Sequence, residues 1–391
     1  MATSTRKEEA VQTFPKPHLI MSRSVRSADD CGLPGAVRVK TSRNDVPYHF
    51  VVHSPQFTYK DYGVHRGQYD RLSFFAAPGT GPVTVHLYDC RDGSPEFDRK
   101  FEIKVPADGS CVLGIPPGYA HWFEDLGDVT TRNDYSILAP SDPGTGWDPL
   151  HDNATWLVDD MHARRPTVRA NTEELPPSAQ FLISKAVAMS WRGGSTTEGK
   201  VTTVEVGGRR QQLYLDRDLG VAPVSTPACQ LATVGYEVGA HMAVQHQSYA
   251  VGANVTSGLS ETLIYTSDGS WPAFYSAHPD MTTKYSPLLY DNPEMEIEVV
   301  DRRSDSPTFG LAQVLPFPQD PRTVLTLEPG VLSRVRGNGR LHYRMEVEVH
   351  HGRSGRNLQL VVPVPAHGEL PIYTAPGSLV EESVVRELAF G

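Results

Sequence analysis

The chain has 391 residues, enough for two ordinary domains, each with its own core. Its net charge of -10 argues against nucleic acid or an anionic membrane as the main partner, while a local Arg cluster could still bind an anionic substrate. With 32 Pro, 33 Gly and 39% apolar residues, the composition favours many short strands over long helices.

The four cysteines, Cys31, Cys90, Cys111 and Cys229, form no C-x-x-C pair. Neither a disulfide framework nor a structural zinc site is expected, and a reducing compartment fits. The first residues, MATSTRKEEAVQTFPKP, lack the apolar region of a signal peptide, and no run approaches the length of a membrane span. The expectation is a soluble cytoplasmic protein without nucleic-acid or membrane partners.

Residues 1–34 are polar and aperiodic, and read as a tail or an arm lying on the first domain. From Ala36 the chain turns strand-like, with VRVKTS, YHFVVHS, FTYKDYGVH and RLSFFAAPG. Val83 to Tyr135 then alternates apolar and polar residues, broken at Asp92-Gly93 and Ala107-Asp108-Gly109, the signature of short antiparallel strands joined by tight turns. Its last apolar run enters Pro116-Pro117-Gly118-Tyr119-Ala120-His121, a rigid turn that delivers a histidine. The Gly-rich segment Trp191–Lys200 reads as a linker, after which a second strand series begins.

That second series is a repeat. VVDRRSDSPTFG (Val299 to Gly310) restates LYDCRDGSPEFD, and TVLTLEPGVLSRV (Thr323 to Val335) restates CVLGIPPGYAHWF. His278 precedes Lys284 by six residues (284 − 278), as His65 precedes Arg71 (71 − 65), and Tyr343 follows on its own strand as Tyr135 does. Duplication at this level calls for two copies of one fold: residues 35–190 and 201–391, joined by 191–200. The fold class expected is all-β, two jelly-roll-like antiparallel barrels in tandem.

The turn Asp89-Cys90-Arg91-Asp92-Gly93-Ser94-Pro95-Glu96-Phe97, the run Ile115 to His121 and the later Tyr135 resemble the cupin family of dTDP-4-dehydrorhamnose 3,5-epimerases. The resemblance implies a cupin fold, here a bicupin, and a metal-independent isomerase acting on a nucleotide-linked 4-keto-6-deoxysugar. It implies His65, in Gly63-Val64-His65, as the base, Tyr135 as the acid, and Arg71 in the place of a lysine that the family uses. His suits the base role because its ordinary pKa lies near neutrality, and a buried cation stabilises a developing enolate oxygen. His121, Asp89, Arg91, Tyr62 and Trp122 are the candidate substrate-binding residues, and His278, Lys284, Asp301 and Tyr343 are the second-repeat counterparts of His65, Arg71, Asp89 and Tyr135. The family's enzymes are dimers, so the fused pair would imitate that dimer, and a homodimer of the whole chain is also compatible.

The chain departs from the family in two places. Tyr62 stands where the family has a phosphate-gripping arginine, and no carboxylate follows Leu182-Ile183-Ser184-Lys185, where the histidine's acidic partner would be. His121 is replaced by Ser333 in the second repeat, which favours the first barrel as the working one. No metal or other cofactor is expected, because His-x-His followed by a spaced Glu is missing from Gly63 to Tyr69, and the pairs His241/His246 and His342/His350/His351 are scattered. Asp89 and Arg91 also read as a structural turn pair. Three alternatives stay open: a dehydratase, cyclase or lyase on the same scaffold, a metal-dependent bicupin oxygenase, and a non-catalytic metabolite-binding protein.

Overall fold

In a computed structural model of the chain, residues 48–76, 79–176 and most of 258–349 are described; elsewhere only the strands given below and a few flanking residues are. The linker Trp191–Lys200 and residues 1–14 of the arm lie outside the described residues.

The first half supplies β1 (His18–Met21), β2 (Val25–Ser27), β3 (Val37–Thr41), β4 (Tyr48–His53), β5 (Asp61–His65), β6 (Gln68–Phe75) and β7 (Val83–Asp89). It continues with β8 (Lys100–Val105), β9 (Cys111–Ile115), β10 (Tyr119–Glu124), β11 (Thr130–Asp134), β12 (Ser136–Ala139), β13 (Asn153–Leu157) and β14 (Glu173–Glu174). A single α-helical turn spans Met161–Arg164. The second half begins with β15 (Val201–Val206), β16 (Arg209–Tyr214), β17 (Val224–Ser225), β18 (Cys229–Thr233), β19 (Tyr236–Glu237), β20 (Ala243–Ser248) and β21 (Gly258–Asp268). Then come β22 (Phe274–Ala277), β23 (Met281–Pro287), β24 (Met295–Asp301), β25 (Ala312–Pro316), β26 (Thr323–Leu327), β27 (Val331–Val349), β28 (Leu358–Pro363) and the short strands β29 (Ile372–Tyr373), β30 (Leu379–Glu381) and β31 (Arg386–Ala389).

Two jelly-roll barrels result, as the duplicated pattern requires. In the first, the sheet β13-β5-β10-β7-β8 faces the sheet β1-β9-β6-β11-β4. Val83, Val85, Leu87, Leu113, Ile115, Phe74 and Val105 point between them and are buried, the outcome of period-two alternation on strands with one face inward. In the second barrel β22 to β26 take the places of β5 to β9, and the 19-residue β27 runs through both sheets where the first barrel uses β10 and β11. The first barrel breaks there because Asp125 and Asp128 adopt positive φ.

The barrels trade strands. β3, which precedes β4 in the chain, pairs not with β4 but with β21 of the second barrel, Val39 opposite Thr262. β20, which precedes β21, pairs with β4 of the first, Val51 opposite Gln245. The boundaries drawn at residues 35 and 201 therefore cut across an exchange that sequence periodicity does not display. Tyr48, Phe50, Val52 and Leu288 pack where the halves meet. The fully buried Arg132 lies 4.0 Å over the Tyr48 ring and is held by Asp134 at 2.7 and 2.8 Å. The arm is also partly placed: β1 pairs with β9, and the Pro15 carbonyl accepts from Arg91 at 2.6 Å.

Asp89 and Arg91 form the structural turn pair, and the second barrel repeats it. Asp89 accepts from the Arg91 guanidinium at 2.9 and 2.7 Å and from Ser94 at 2.7 Å; Asp301 accepts from Arg303 at 3.0 and 2.8 Å and from Ser306 at 2.6 Å. Burial works against both carboxylates, but these donors outweigh it and hold them below the usual range, Asp301 at about 2.

His53 behaves oppositely. Burial lowers its pKa to about 4, although Nδ1 meets the Val129 carbonyl at 2.8 Å. A base depressed in the folded state is protonated earlier in the unfolded one, so its contribution is present above pH 6.5 and lost as pH falls toward 4, roughly 3 kcal/mol in full. Denaturant titrations are expected to show stability falling over that window, less steeply in His53→Gln. A second loss is expected between pH 4 and 2 as Asp301 is protonated.

Candidate active site

Strand alternation decides what faces the first barrel's interior. From β5 the cavity receives Asp61, Gly63 and His65; from β6 Gln68, Asp70 and Leu72; from β10 His121 and Phe123. Strands β4, β11 and β13 add His49 and Val51, Thr131 and Asn133, and Asn153 and Thr155, around a cavity of about 450 Å³. The residues between them in sequence face the other way, toward a second packing layer.

His65, Asp70 and His121 converge. Their ligand atoms all lie within 4.8 Å of one another, and the two imidazole rings are 5.7 Å apart. Asp70 is 2% exposed, and its Oδ1 accepts from Gln68 Nε2 at 2.6 Å and Asn133 Nδ2 at 2.7 Å. His121 is delivered by the expected Pro-Gly turn, where Gly118 has φ 82°. Burial lowers the pKa of His121, and its neighbour His65 adds to this while Asp70 opposes it. His49 falls to about 4 for the same first reason, with Asp70 opposing and His65 adding; its Nδ1 is buried without a hydrogen-bond partner among the described residues. Both imidazoles are thus neutral at pH 7, the form that binds a metal or accepts a proton.

Asp152 stands behind His65. It accepts from the backbone N–H groups of Arg66 and Gly67 at 3.0 and 2.9 Å and from Trp147 Nε1 at 2.8 Å. Burial raises its pKa, with His65 and these donors working against the rise.

Of the residues expected at the site, His65 and His121 line the cavity and the others do not. Arg71 is one residue past Asp70 on β6, on the opposite face, with Nη1 donating to Ser136 at 2.7 Å and its guanidinium 4.5 Å over the Tyr69 ring. Tyr135 is buried with Ile137, Ala139, Trp147 and Ile183, its ring 5.5 Å from that of His49 but outside the cavity wall. Tyr62 and Trp122 belong to the outer layer with Val64, Tyr88 and Ala120, and Trp122 donates to the Tyr59 carbonyl at 2.7 Å. Arg91 is taken up by Asp89, Ser94, Tyr119 and Pro15, away from the cavity.

The expectation of no metal-binding set also changes. The carboxylate that Gly63 to Tyr69 lacks is Asp70, the next residue, and it doubles as the acidic neighbour of His65 that was missing downstream. His49, Asp70 and Tyr59 are the residues that sequence reasoning missed. The signal for Asp70 was an alternation in register with His65 across the Arg66-Gly67 turn, which puts Gln68 and Asp70, not Arg71, on the histidine's face.

The second barrel has lost this set. His278 is buried, its Nδ1 2.8 Å from Thr283 Oγ1, but Thr283 stands where Asp70 does and Ser333 where His121 does. Tyr285, Phe317 and Tyr343 fill its interior with rings 5.4 to 6.1 Å apart, and Tyr285 hydrogen-bonds Ser333 at 2.9 Å. Lys284 falls on the face opposite Tyr285, and Asp301 is in the turn pair.

No family model and no curated protein matches the chain. Among solved structures, an oxalate decarboxylase from Lactobacillus farciminis in complex with formate is 12% identical over 91% of this chain and 90% of its own, with a TM-score of 0.28. A dTDP-4-dehydrorhamnose 3,5-epimerase from Bacillus anthracis is 15% identical over 32% of this chain and 74% of its own (TM-score 0.23), and the coconut allergen cocosin 10% identical over 86% of both (TM-score 0.27). Likeness at this level assigns no activity, and the fold rests on the sheet topology. No helix among the described residues is long and apolar enough to cross a membrane.

A Cβ built on Gly63 would sit 3.6 Å from Asn153 Oδ1 and 3.9 Å from His121 Nε2, ordinary contact; on Gly118 it would sit 2.5 Å from Arg91 Cγ. Gly63→Ala is expected to melt at or slightly above the wild-type temperature, and Gly118→Ala to lose roughly 1–3 kcal/mol from its strained φ and the clash.

Proposed function

We propose that the first barrel is a catalytic pocket holding a divalent first-row transition metal at His65, Asp70 and His121. We further propose that it is an isomerase or lyase removing a proton beside the carbonyl of a small polar metabolite. The observation that carries this is the convergence of the three side chains. Two imidazoles and a buried carboxylate suit manganese, iron, nickel or zinc better than the all-oxygen ions calcium and magnesium. The Nδ1 of His49, on the same cavity wall and without a hydrogen-bond partner among the described residues, fits the same reading.

When bound, such a metal supplies Lewis-acid stabilisation of a carbonyl oxygen, the task that the sequence reading gave to Arg71. The chain does the rest. His49, neutral through burial, accepts the proton, and its low basicity lets it give the proton back. Tyr59, also on the wall and raised to about 12 by burial, keeps its phenol proton and donates a hydrogen bond. Asn153, Thr155 and Thr131 offer polar contacts, while Val51, Leu72, Phe123 and Leu126 exclude water. Among the described residues no Lys or Arg lines the cavity, so this wall favours a compact keto compound over one carrying a diphosphate.

A second reading keeps the metal-independent epimerase on a nucleotide-linked 4-keto-6-deoxysugar. The observation for it is His65 between Asp70 and Asp152, which could orient and polarise it as a base without an ion.

Metal analysis of the purified protein is expected to give close to one transition-metal ion per chain, lost at least tenfold in His65→Ala, Asp70→Ala and His121→Ala and kept in His278→Ala. Metal-poor wild type indistinguishable from these variants would sink the metal reading. Solvent deuterium entering dTDP-4-keto-6-deoxyglucose beside its ketone, undiminished by chelator, would establish the second.

A further inference from the structure

The cluster's carboxylate is held by two amide side chains. Asp70 is almost fully buried, and a buried carboxylate needs donors to offset its lost hydration. Both donors fall on one oxygen: Gln68 Nε2 at 2.6 Å and Asn133 Nδ2 at 2.7 Å meet Oδ1, and among the described residues no hydrogen bond falls on Oδ2. Gln68 is two residues before Asp70 on the same face of β6. Asn133 is on β11, opposite Leu72 and so diagonal to Asp70. The Asn133 amide has one orientation open to it, because its Oδ1 accepts the Arg71 backbone N–H at 3.0 Å, which turns its NH₂ toward Asp70.

The repeat supplies an independent observation. Where the first barrel has Gln68, Asp70, His121 and Asn133, the second has Met281, Thr283, Ser333 and Met345; Tyr285 pairs with Met345 as Leu72 pairs with Asn133. The turn pair Asp-Arg-Ser, which serves folding alone, survives in both barrels. Both amides disappear where the cluster does, although neither would bind an ion itself, and structural groups stay.

We infer that Gln68 and Asn133 are positioning residues that saturate Oδ1 of Asp70 and so present Oδ2 to His65 and His121. The metal arm of the test rests on the reading above; the structural arm does not. Cobalt(II), titrated into metal-free protein and followed by its visible spectrum, is the probe. Asn133→Leu and the half-buried Gln68→Leu are each expected to weaken cobalt binding about 10- to 100-fold, the usual effect of removing a ligand's supporting hydrogen bond, and to change the spectrum, with melting temperatures confirming intact folds. Crystal structures of the metal-free variants are expected to show the Asp70 carboxylate rotated from its wild-type position, most in the double variant. Unchanged cobalt affinity and spectrum with Asp70 in place would overturn the inference. If wild type takes up no cobalt, the metal reading fails alone, and the position of Asp70 in the metal-free double variant decides: displaced supports the positioning role, unmoved refutes it.

Discussion

Everything in the first barrel follows from the two-faced character of a β-strand. Each strand presents alternate residues to the cavity and to an outer packing layer, so one step along the chain exchanges a reactive position for a structural one. His49, His65, Asp70, His121 and Asn133 share the cavity because each has the right parity on its own strand. Arg71 and Trp122, next in sequence to Asp70 and His121, and Tyr62, between the lining residues Asp61 and Gly63, do unrelated work for the same reason.

Burial then sets the chemistry. Three histidines in one small chamber would repel each other if charged, and removal from water already disfavours that form, so at least His49 and His121 stay neutral. The buried carboxyl group of Asp70 among them requires neighbours that donate, and two amides meet that need. The interior of the second barrel shows the contrasting solution: with the polar set gone, aromatic rings close the space.

The all-β duplicated architecture was legible in the sequence because it is written twice, in alternation, turn residues and a repeated Asp-x-Arg turn. His121 was legible from its Pro-Gly turn, and His65 from the family resemblance of Gly63-Val64-His65. What was not legible had a physical cause in each case. Asp70 needed the parity reset at the Arg66-Gly67 turn, where the chain passes from one sheet to the other, to be carried one residue further. His49 sits far upstream in a strand whose partners, β11 and β20, are set by tertiary packing. The crossing of β3 and β20 is invisible to periodicity because an exchanged strand alternates like any other.

That exchange has a consequence for the history of the two barrels. In a pair of identical subunits, any change to a pocket appears in both copies, so a site cannot be abandoned in one without being lost in the other. Here each barrel's sheet is extended by a strand from the opposite half, while the two pockets are encoded separately. Carrying both halves in one chain keeps the mutual support without the symmetry. The two interiors can therefore differ: aromatic rings fill one, and the other holds the polar cluster.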